Sequence, residues 1–428
     1  MKIAIVGCIH GELSQVYRDI EAIEKRENFR VDLVLICGDV QTLRNENDLK
    51  CMAVKEKFRN LGDFHRYYNG DLRAPVLTLF IGGNHEASNY LMTLPYGGWV
   101  CPNIFYLGFA NVVRFNGLRI AALSGIYNQY HKSWGHFEYL PFDENSKRSI
   151  YHTRSLETYR LLQIDNSGEQ VDIFLSHDWP LNIHKHGDTN RLLSIKPFFK
   201  KDIDNGSLGN PYSSQILEHL KPRYWFSAHL HVRFEATVNH EDGKATQFLA
   251  LDKCLPRRPY LEIVNIEPKT ETSDGLEYDF EWIAILKNSN QYLSIEKIPK
   301  IKVPGFWVPL PCDIKKETEK LKTSFKSLKV PDNFEKVSPV RNDKDEDPDR
   351  RVNYVNPQTT EFCKKFELED PIEFLIKSRE LQSNPDEIDL SEDDEETMEK
   401  EPMQKKLKSD ENSLTEEQSF IIDTKGSK

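Results

Sequence analysis

The sequence predicts an α/β fold with a smaller C-terminal domain and a disordered acidic tail. Three observations support this prediction. Short apolar runs that end in glycine and polar residues recur through the first half of the 428-residue chain, and they indicate buried strands. A segment with helical spacing of apolar residues separates the first two runs, as in a βαβ unit. The last part of the chain is acidic and poor in aromatic residues, which indicates disorder.

Polar side chains follow the first three predicted strands. We predict these strands over 2–6, 31–40 and 75–81, and a helix over 13–26 from its spacing of apolar residues. Each strand runs into glycine and polar residues, and the carboxyl ends of parallel strands meet at one edge of a sheet. The residues that we expect at this edge are Cys8, His10, Asp39, Asn84 and His85.

Two later predicted strands, over 171–175 and 224–228, add histidines to the same set. These histidines are His177, His229 and His231. A single histidine or a polar turn after a strand is usually structural, whereas donors at five strand ends together indicate metal. The donor types suit two divalent metals bridged by Asp39, a pair that can hold a phosphate and activate a hydroxide.

The remaining elements are predicted from shorter patterns. We expect further strands within 104–126, with a turn at 116–117, and shorter strands at 261–266 and 278–286. An amphipathic helix is expected over 371–381. The region that carries the last two strands either forms a separate small domain or packs onto the first sheet.

Residues 127–154 form a stretch of distinct composition, dense in aromatic residues and histidine with basic residues between them. Aromatic faces and basic side chains on one loop suit single-stranded nucleic acid, through stacking and phosphate contacts. The alternative is an aromatic-rich loop that packs on the protein. The candidate substrate contacts are Tyr127, Tyr130, His131, Trp134, His136, His152 and Arg154.

A second basic group lies within residues 185–215, where Lys196, Lys200 and Lys201 stand among polar residues. Such a segment forms either part of a substrate rim or a solvated surface loop. We interpret it as a surface loop, because charged side chains are mostly solvated.

Charge and cysteine content restrict the class of protein. The net charge of -11 is concentrated in residues 341–428, which hold 14 Lys and Arg against 26 Asp and Glu. No apolar run approaches the ~18 residues of a membrane span, and the first residues lack the apolar core of a secretory signal. Seven scattered cysteines suit a reducing compartment. We therefore expect a nuclear or cytosolic protein, with the KKLK at 405–408 as a nuclear-import candidate.

The strand-end residues resemble the motifs of the calcineurin-like metallophosphoesterases, and the resemblance implies an αββα sandwich. The order and spacing agree over residues 1–231. The matching pieces are Cys8-Ile9-His10, Gly38-Asp39, Gly83-Asn84-His85-Glu86, His177 and Ala228-His229-Leu230-His231. The chain departs from the family pattern twice, with Cys8 in place of aspartate and Ala228 in place of glycine.

The cysteine at position 8 is similar to that of the RNA lariat debranching enzymes. The SGIYN at 124–128, the SHDWP at 176–180 and the LDKCLPRRPYLEI at 251–263 are also similar, so the resemblance covers about residues 1–300. It implies a catalytic domain over 1–235 with a lariat-recognition loop at 127–154. It also implies a debranching-enzyme C-terminal domain over 236–384, followed by a disordered tail over 385–428.

The same resemblance implies roles for the strand-end residues. One metal would be held by Cys8, His10, Asp39 and His231, and the other by Asp39, Asn84, His177 and His229. His85 would protonate the leaving oxygen. The thiolate of Cys8 is softer than a carboxylate and favours Zn²⁺ or Fe²⁺ over Mg²⁺, and Mn²⁺ is a further candidate.

The implied reaction is hydrolysis of the 2′-5′ phosphodiester bond at the branch point of excised intron lariat RNA, which gives linear RNA. The implied partner is branched RNA, with no membrane, and the acidic tail would contact splicing-associated or RNA-turnover proteins. The implied location is the nucleus, with shuttling to the cytoplasm.

Three alternatives remain open from the sequence. A general metal-dependent nuclease or phosphoesterase of the same superfamily would cleave linear RNA or small phosphate esters as well as branched RNA. A non-catalytic RNA scaffold would bind RNA without metal. An interaction protein would depend chiefly on its tail, so that deletion of residues 385–428 would separate that role from catalysis.

Overall fold

The computed structural model describes residues 1–268, 275–338 and 354–383. The predictions of a disordered tail over 385–428 and of an import signal at 405–408 lie outside these residues. Among the described helices, none combines the length and the apolar character that a bilayer crossing requires.

The strands of the described chain are β1 (Lys2–Val6), β2 (Leu33–Ile36), β3 (Thr78–Phe80), β4 (Gly98–Cys101), β5 (Ile104–Tyr106), β6 (Ala110–Phe115), β7 (Leu118–Leu123), β8 (Ile173–Ser176), β9 (Tyr224–Ser227), β10 (Phe234–Asn239), β11 (Ala245–Ala250), β12 (Leu261–Asn265) and β13 (Leu276–Tyr278).

The α-helices are α1 (Leu13–Glu27), α2 (Glu46–Leu49), α3 (Phe64–Asn69), α4 (Ser88–Leu91), α5 (Ser146–Ser149), α6 (Ser155–Leu161), α7 (Thr189–Ile195), α8 (Phe199–Asp204), α9 (Pro211–Leu220), α10 (Phe280–Ser289), α11 (Ile314–Ser324), α12 (Pro357–Phe366) and α13 (Pro371–Ser383). Short 3₁₀ helices cover Glu56–Phe58, Ile183–His186 and Asn290–Tyr292.

The strands form two sheets that pack face to face. The six-stranded sheet has the order β12-β1-β2-β3-β5-β4, and the seven-stranded sheet has the order β10-β11-β9-β8-β7-β6-β13. Alternate residues of β1 point to opposite faces, as in any strand. Ile3 and Ile5 belong to the core between the sheets, whereas Ala4 and Val6 belong to the core under α1. The predicted αββα sandwich is confirmed.

Most of the elements form where the sequence patterns indicate. The helix predicted over 13–26 is α1, which ends where Asn28 adopts a left-handed φ of 54°. The turn predicted at 116–117 joins β6 to β7, and both of its residues have positive φ, as a tight hairpin turn requires. The predicted C-terminal helix is α13.

Three predicted strands are wrong in whole or in part, and the one predicted over 75–81 is reduced to β3 (Thr78–Phe80). The strand predicted over 31–40 is shorter and ends at Ile36, because Gly38 and Asp39 turn the backbone through positive φ. The run at 278–286 is mostly helical and forms α10. The side chain of Asp279 accepts a hydrogen bond from the backbone N–H of Trp282 (3.1 Å), and such an N-cap favours a helix over a strand.

The strands that follow residue 235 complete both sheets. β12 pairs antiparallel with β1, and β11 pairs parallel with β9. β13 pairs antiparallel with β6 at the far end of the seven-stranded sheet. The division of the chain at residue 235 stays a prediction.

The C-terminal segment 354–383 packs against the first part of the chain. The side chain of Gln358 accepts a hydrogen bond from the backbone N–H of Trp99 (2.7 Å) and donates one to its carbonyl (2.9 Å). The rings of Tyr96 and Phe362 stack at 5.3 Å. These contacts join the end of the described chain to its first sheet.

Candidate metal centre

The strand-end residues predicted from the sequence come together at one edge of the two sheets. Cys8 and His10 follow β1, Asp39 follows β2, Asn84 and His85 follow β3, His177 follows β8, and His229 and His231 follow β9. The strands that carry them run parallel within each sheet, so their carboxyl ends share this edge.

The first donor group contains Cys8, His10, Asp39 and His231. One ligand atom from each of these residues lies within 4.8 Å of the others. The Nε2 atoms of His10 and His231 are 3.2 Å apart, and Nε2 of His10 is 3.7 Å from Oδ2 of Asp39. The backbone N–H of His229 donates to Sγ of Cys8 at 3.3 Å. This spacing suits donors around a single cation.

The second donor group lies on the other oxygen of Asp39. Nε2 of His177 is 3.5 Å from Oδ1 of Asp39 and 3.2 Å from Oδ1 of Asn84. The rings of His177 and His229 are 5.0 Å apart. Nδ1 of His177 lies 2.6 Å from the carbonyl oxygen of Cys37, to which it donates. This bond fixes the tautomer and leaves the Nε2 lone pair directed at the donor group.

His85 lies beside both donor groups. Its backbone N–H donates to Oδ1 of Asp39 at 2.9 Å, and its ring centroid is 5.5 Å from that of His10. The side chain is half-buried at the sheet edge. The imidazole is therefore held near the donors and remains accessible to a substrate.

Glu86 is a site residue to which sequence reasoning assigned no role. Its buried carboxyl group accepts hydrogen bonds from the backbone N–H groups of Val40 (2.9 Å), Gln41 (2.8 Å) and Gly83 (3.1 Å), and burial together with the charge of Asp39 raises its pKa to about 8. The carboxyl group thus ties the turn after β2 to the turn after β3. Its place directly after His85 in the motif was the available signal.

The backbone of the site is strained at four donors. His10, Asp39, His229 and His231 have φ of 48°, 52°, 62° and 50°, and a left-handed conformation costs a non-glycine residue about 1–3 kcal/mol. Such conformations persist only where the surrounding structure holds them, and they concentrate at functional sites.

Gly83 allows Asp39 and His177 to approach the turn after β3. A Cβ atom at this position would lie 2.1 Å from Oδ1 of Asp39 and 2.7 Å from Cε1 of His177. Neither side chain can retreat, because each is buried. Glycine is therefore required here for steric reasons.

Burial keeps three of the imidazoles neutral near pH 7. It lowers the pKa of His10 to about 4, that of His229 to about 3 and that of His231 to about 2. The nearby carboxylate of Asp39 acts in the opposite direction but is the weaker influence at each of them. Neutral imidazoles offer lone pairs, which is the form in which histidine binds metals.

Asp39 and Cys8, two of the acidic groups of the site, respond to burial differently. Burial alone would raise the pKa of Asp39, yet His177, His85 and His10 favour its carboxylate and lower the pKa. Burial, together with the charge of Asp39, raises the pKa of the Cys8 thiol well above its ordinary value. A thiolate at this position therefore needs a positive charge beside it.

Comparisons with known proteins identify the family of this chain. The family model "Calcineurin-like phosphoesterase" matches residues 1–233, and the model "Lariat debranching enzyme, C-terminal domain" matches residues 243–371. The lariat debranching enzyme of Gallus gallus is 46% identical over 384 residues, which cover 86% of this chain and 70% of that protein. The chain belongs to the lariat debranching enzyme family.

Two further relatives agree with this assignment. The lariat debranching enzyme of Homo sapiens is 45% identical over 89% of this chain and 71% of its own length. That of Arabidopsis thaliana is 49% identical over 69% of this chain and 70% of its own length. The resemblance inferred from the sequence is confirmed.

In this member of the lariat debranching family, part of the 127–154 loop forms an aromatic cluster. His131 stacks on Trp134 with ring centroids 4.0 Å apart, and Nδ1 of His131 is 2.7 Å from Nδ1 of His152. Nζ of Lys297 lies 4.2 Å from the Trp134 ring. Tyr130 is 72% exposed. Among the predicted contacts, Tyr130 is thus the side chain most open to a substrate.

Three of the other candidates make contacts inside the protein. Nε2 of His136 lies 2.9 Å from Oε1 of Glu157. The buried guanidinium of Arg154 donates to Oε1 of Glu138 at 2.6 Å. The ring of Tyr127 packs edge-on against a tyrosine of α9 at 5.2 Å. These contacts hold the loop in place, and an RNA contact by any of the three stays a prediction.

The apolar side of the 127–154 loop packs against the C-terminal segment. Leu140, Phe142 and Ile150 form one buried cluster with Ile372 and Leu375 of α13. The loop is therefore supported by a helix from the end of the described chain as well as by its own ion pairs.

Proposed function

We propose that this chain hydrolyses the 2′-5′ phosphodiester bond at the branch point of excised intron lariats and so yields linear RNA. The observation that carries the proposal is the position of Asp39. Its two oxygens face two groups of nitrogen, oxygen and sulfur donors in a chain of the lariat debranching family.

The donors fit two divalent cations. Oδ2 of Asp39 is buried and, among the described residues, has no hydrogen-bond partner, so a buried negative charge there calls for a cation. We assign one cation to Cys8, His10, Asp39 and His231, and the other to Asp39, Asn84, His177 and His229. When bound, such cations stabilise charge on a phosphate and make water more acidic.

His85 supplies the proton for the leaving 2′ oxygen. The bond from its backbone N–H to Asp39 fixes the residue beside the donors, and its half-exposed ring can reach a bound phosphodiester. Imidazole carries a transferable proton near neutral pH. Its role is to neutralise the alkoxide as the bond to phosphorus breaks, so that the 2′ hydroxyl is released.

The chemistry of Cys8 favours Zn²⁺ or Fe²⁺ in the first donor group. Thiolate is a soft ligand, whereas Mg²⁺ and Mn²⁺ prefer oxygen. The second group has imidazole, amide and carboxylate donors and suits Zn²⁺, Fe²⁺ or Mn²⁺. Metal analysis of protein purified without added metals tests this assignment directly.

Replacement of Cys8 by aspartate should change which metal gives the higher rate of RNA cleavage. We expect the rate with Mn²⁺ to rise relative to the rate with Zn²⁺ or Fe²⁺ by about tenfold, the scale on which changes around a metal alter its affinity. The measurement is the rate of branched-RNA cleavage after chelation and addition of single metals. The half-buried Cys312 provides the control variant Cys312→Asp, and equal metal preference in both variants would contradict the assignment.

The 127–154 loop contacts the RNA around the branch. The exposed ring of Tyr130 offers a stacking surface, and Lys297 places a positive charge beside Trp134. Stacking on aromatic rings with nearby cations is how unpaired RNA bases are bound.

Cleavage of defined RNAs by the purified chain tests the proposed function. After chelation and addition of divalent metals, the wild type should release the 2′-linked arm of a short branched RNA and leave linear 3′-5′ RNA of the same composition intact. Equal rates on branched RNA, linear RNA and a small phosphodiester would indicate a general phosphoesterase. Tight binding of branched RNA without any cleavage would indicate a scaffold.

A further inference from the structure

Two connections flank the histidines of the seven-stranded sheet. Its strands β11, β9, β8 and β7 lie side by side in this order and run parallel. β8 and β9 lead to the donor histidines, and β7 leads to the 127–154 loop. The chain that follows β11 therefore lies on the other side of the histidines from that loop.

The connection after β11 adjoins the first donor group. Lys253 forms a bridge with Cys8, and the backbone N–H of Cys254 donates to the carbonyl oxygen of Cys8 at 2.8 Å. Arg257 is exposed a few residues further on. Neither Lys253 nor Arg257 has a carboxylate partner within the part of the chain that the structure describes. Lys253, whose charge acts on His10 and His231, thus stands next to the candidate metal centre, and Arg257 is an exposed cation four residues further along the same connection.

The turn between α7 and α8 lies on the same side. Gly187, just before α7, pairs with Ala236 of β10. Nζ of Lys196 is 5.8 Å from the ring of Phe198. Burial lowers the pKa of Lys196, and the charged groups that act on it next are Asp252, Arg258 and Lys253. The turn and the connection after β11 are therefore neighbours, and we call residues 195–201 and 252–258 together the β11 rim.

The exposed side of the β11 rim combines apolar and basic groups. Ile195, Phe198 and Leu255 are 51%, 46% and 38% exposed. Asp252, the acidic residue of the rim, is bonded to Arg258 at 3.0 Å. An exposed aromatic ring among basic side chains suits unpaired nucleotides, through stacking and phosphate contacts. The sequence of residues 185–215 favours a solvated surface loop. The part of this segment that belongs to the β11 rim, however, has side chains that suit the alternative, a substrate rim.

We propose that the β11 rim binds a second single-stranded arm of the branched RNA. Phe198 stacks on a base, and Lys253 and Arg257 contact phosphates of that arm. The inference rests on the proposed function, because the branch nucleotide of such a substrate carries three strands, through its 5′, 3′ and 2′ oxygens. With the 127–154 loop on one side of the metal centre and the β11 rim on the other, two arms are held apart while the branch lies at the donors.

Steady-state kinetics with branched RNAs of different arm length test the proposal. Phe198→Ala should raise KM for a long-armed branched RNA by about 5- to 150-fold, the range given by one lost base–aromatic stack. Arg257→Ala should also raise KM and should reduce the salt slope of log KM by about 0.7, as expected for one lost phosphate contact on a single strand. For a branch trimmed to single nucleotides, KM should stay within about twofold of the wild type for both variants.

Matched controls separate the rim from general effects of substitution. Phe374→Ala removes another exposed phenylalanine (56% exposed), and Lys244→Ala removes a cation from the turn between β10 and β11, at the opposite edge of the sheet. Both should leave KM and the salt slope unchanged. Phe198→Tyr and Arg257→Lys retain stacking and charge, so they should restore most of the binding.

The outcomes distinguish the two proposals. If the rim variants and the controls give equal KM and equal salt slope on long-armed RNA that the wild type debranches, the rim does not bind RNA and the proposed function stands. If the wild type fails to debranch any branched RNA, the proposed function fails and the assignment of an RNA arm to the rim fails with it. A KM increase that depends on arm length supports the proposal.

Discussion

Replacement of His85 by alanine should lower kcat for branched RNA by about 10²- to 10⁴-fold, the usual contribution of a positioned general acid. The expected loss falls on kcat because His85 acts on the leaving oxygen, whereas the donors that hold metal remain in place. KM should change little. The measurement is kcat and KM on a short branched RNA, with bound metal quantified in the same preparation.

The histidine at position 240 provides the matched control for this result. It lies just after β10, at the edge of the sheet away from the donors, where Nε2 contacts the hydroxyl of Thr246 at 2.8 Å. His240→Ala should keep kcat near the wild-type value. If His85→Ala cleaves at the wild-type rate with metal bound, His85 is not the proton donor. If His85→Ala has lost its metal, the lower rate is explained by metal loss and the assignment of His85 as proton donor loses its support.

Replacement of Gly83 by alanine should disrupt the metal centre although it changes none of the donor residues. The backbone at Gly83 does not require positive φ, so alanine is conformationally permitted and the clash with Asp39 and His177 is the remaining obstacle. We expect metal affinity and turnover to fall by about 10- to 100-fold, as for other changes that displace metal ligands. Overpacking of this kind costs about 1–3 kcal/mol of unfolding free energy.

Isothermal titration of the chelated protein with Zn²⁺ or Mn²⁺ measures this loss. Gly168→Ala is the control, because Gly168 lies exposed in a surface turn where the nearest atom to an added Cβ is a side-chain oxygen at 3.3 Å. Unchanged metal affinity in Gly83→Ala would show that Asp39 can move without cost, and the bridging position assigned to Asp39 would then be wrong.

The donor set could be predicted from the sequence because each member carries a local signal. Every donor stands directly after an apolar run, and parallel strands bring such positions to one edge whatever their order in the sheet. Glu86 stands in the same motif, directly after His85, but its role depends on backbone N–H groups from a different strand end. Roles that depend on distant backbone are not visible in a one-dimensional pattern.

The later strands and the 127–154 loop show where sequence patterns fail. The run at 278–286 is apolar except for Asp279 and Glu281, and a largely buried segment of that length has no periodicity that separates a strand from a helix such as α10. Composition also cannot tell which aromatic and basic side chains of a loop face inward. Arg154 and Tyr130 contribute equally to the composition, yet Arg154 pairs with Glu138 inside the protein and Tyr130 is exposed.

The packing of α13 against the 127–154 loop has a consequence for the order in which the protein matures during synthesis. The contact between Trp99 and Gln358 spans 259 residues, and Ile372 and Leu375 lie still further along the chain. The loop therefore cannot complete its apolar support until nearly all of the described chain has left the ribosome. In partial chains that already contain every metal donor, the 127–154 loop would lack its apolar support from α13. The ability to bind branched RNA should therefore arise after the metal centre has formed.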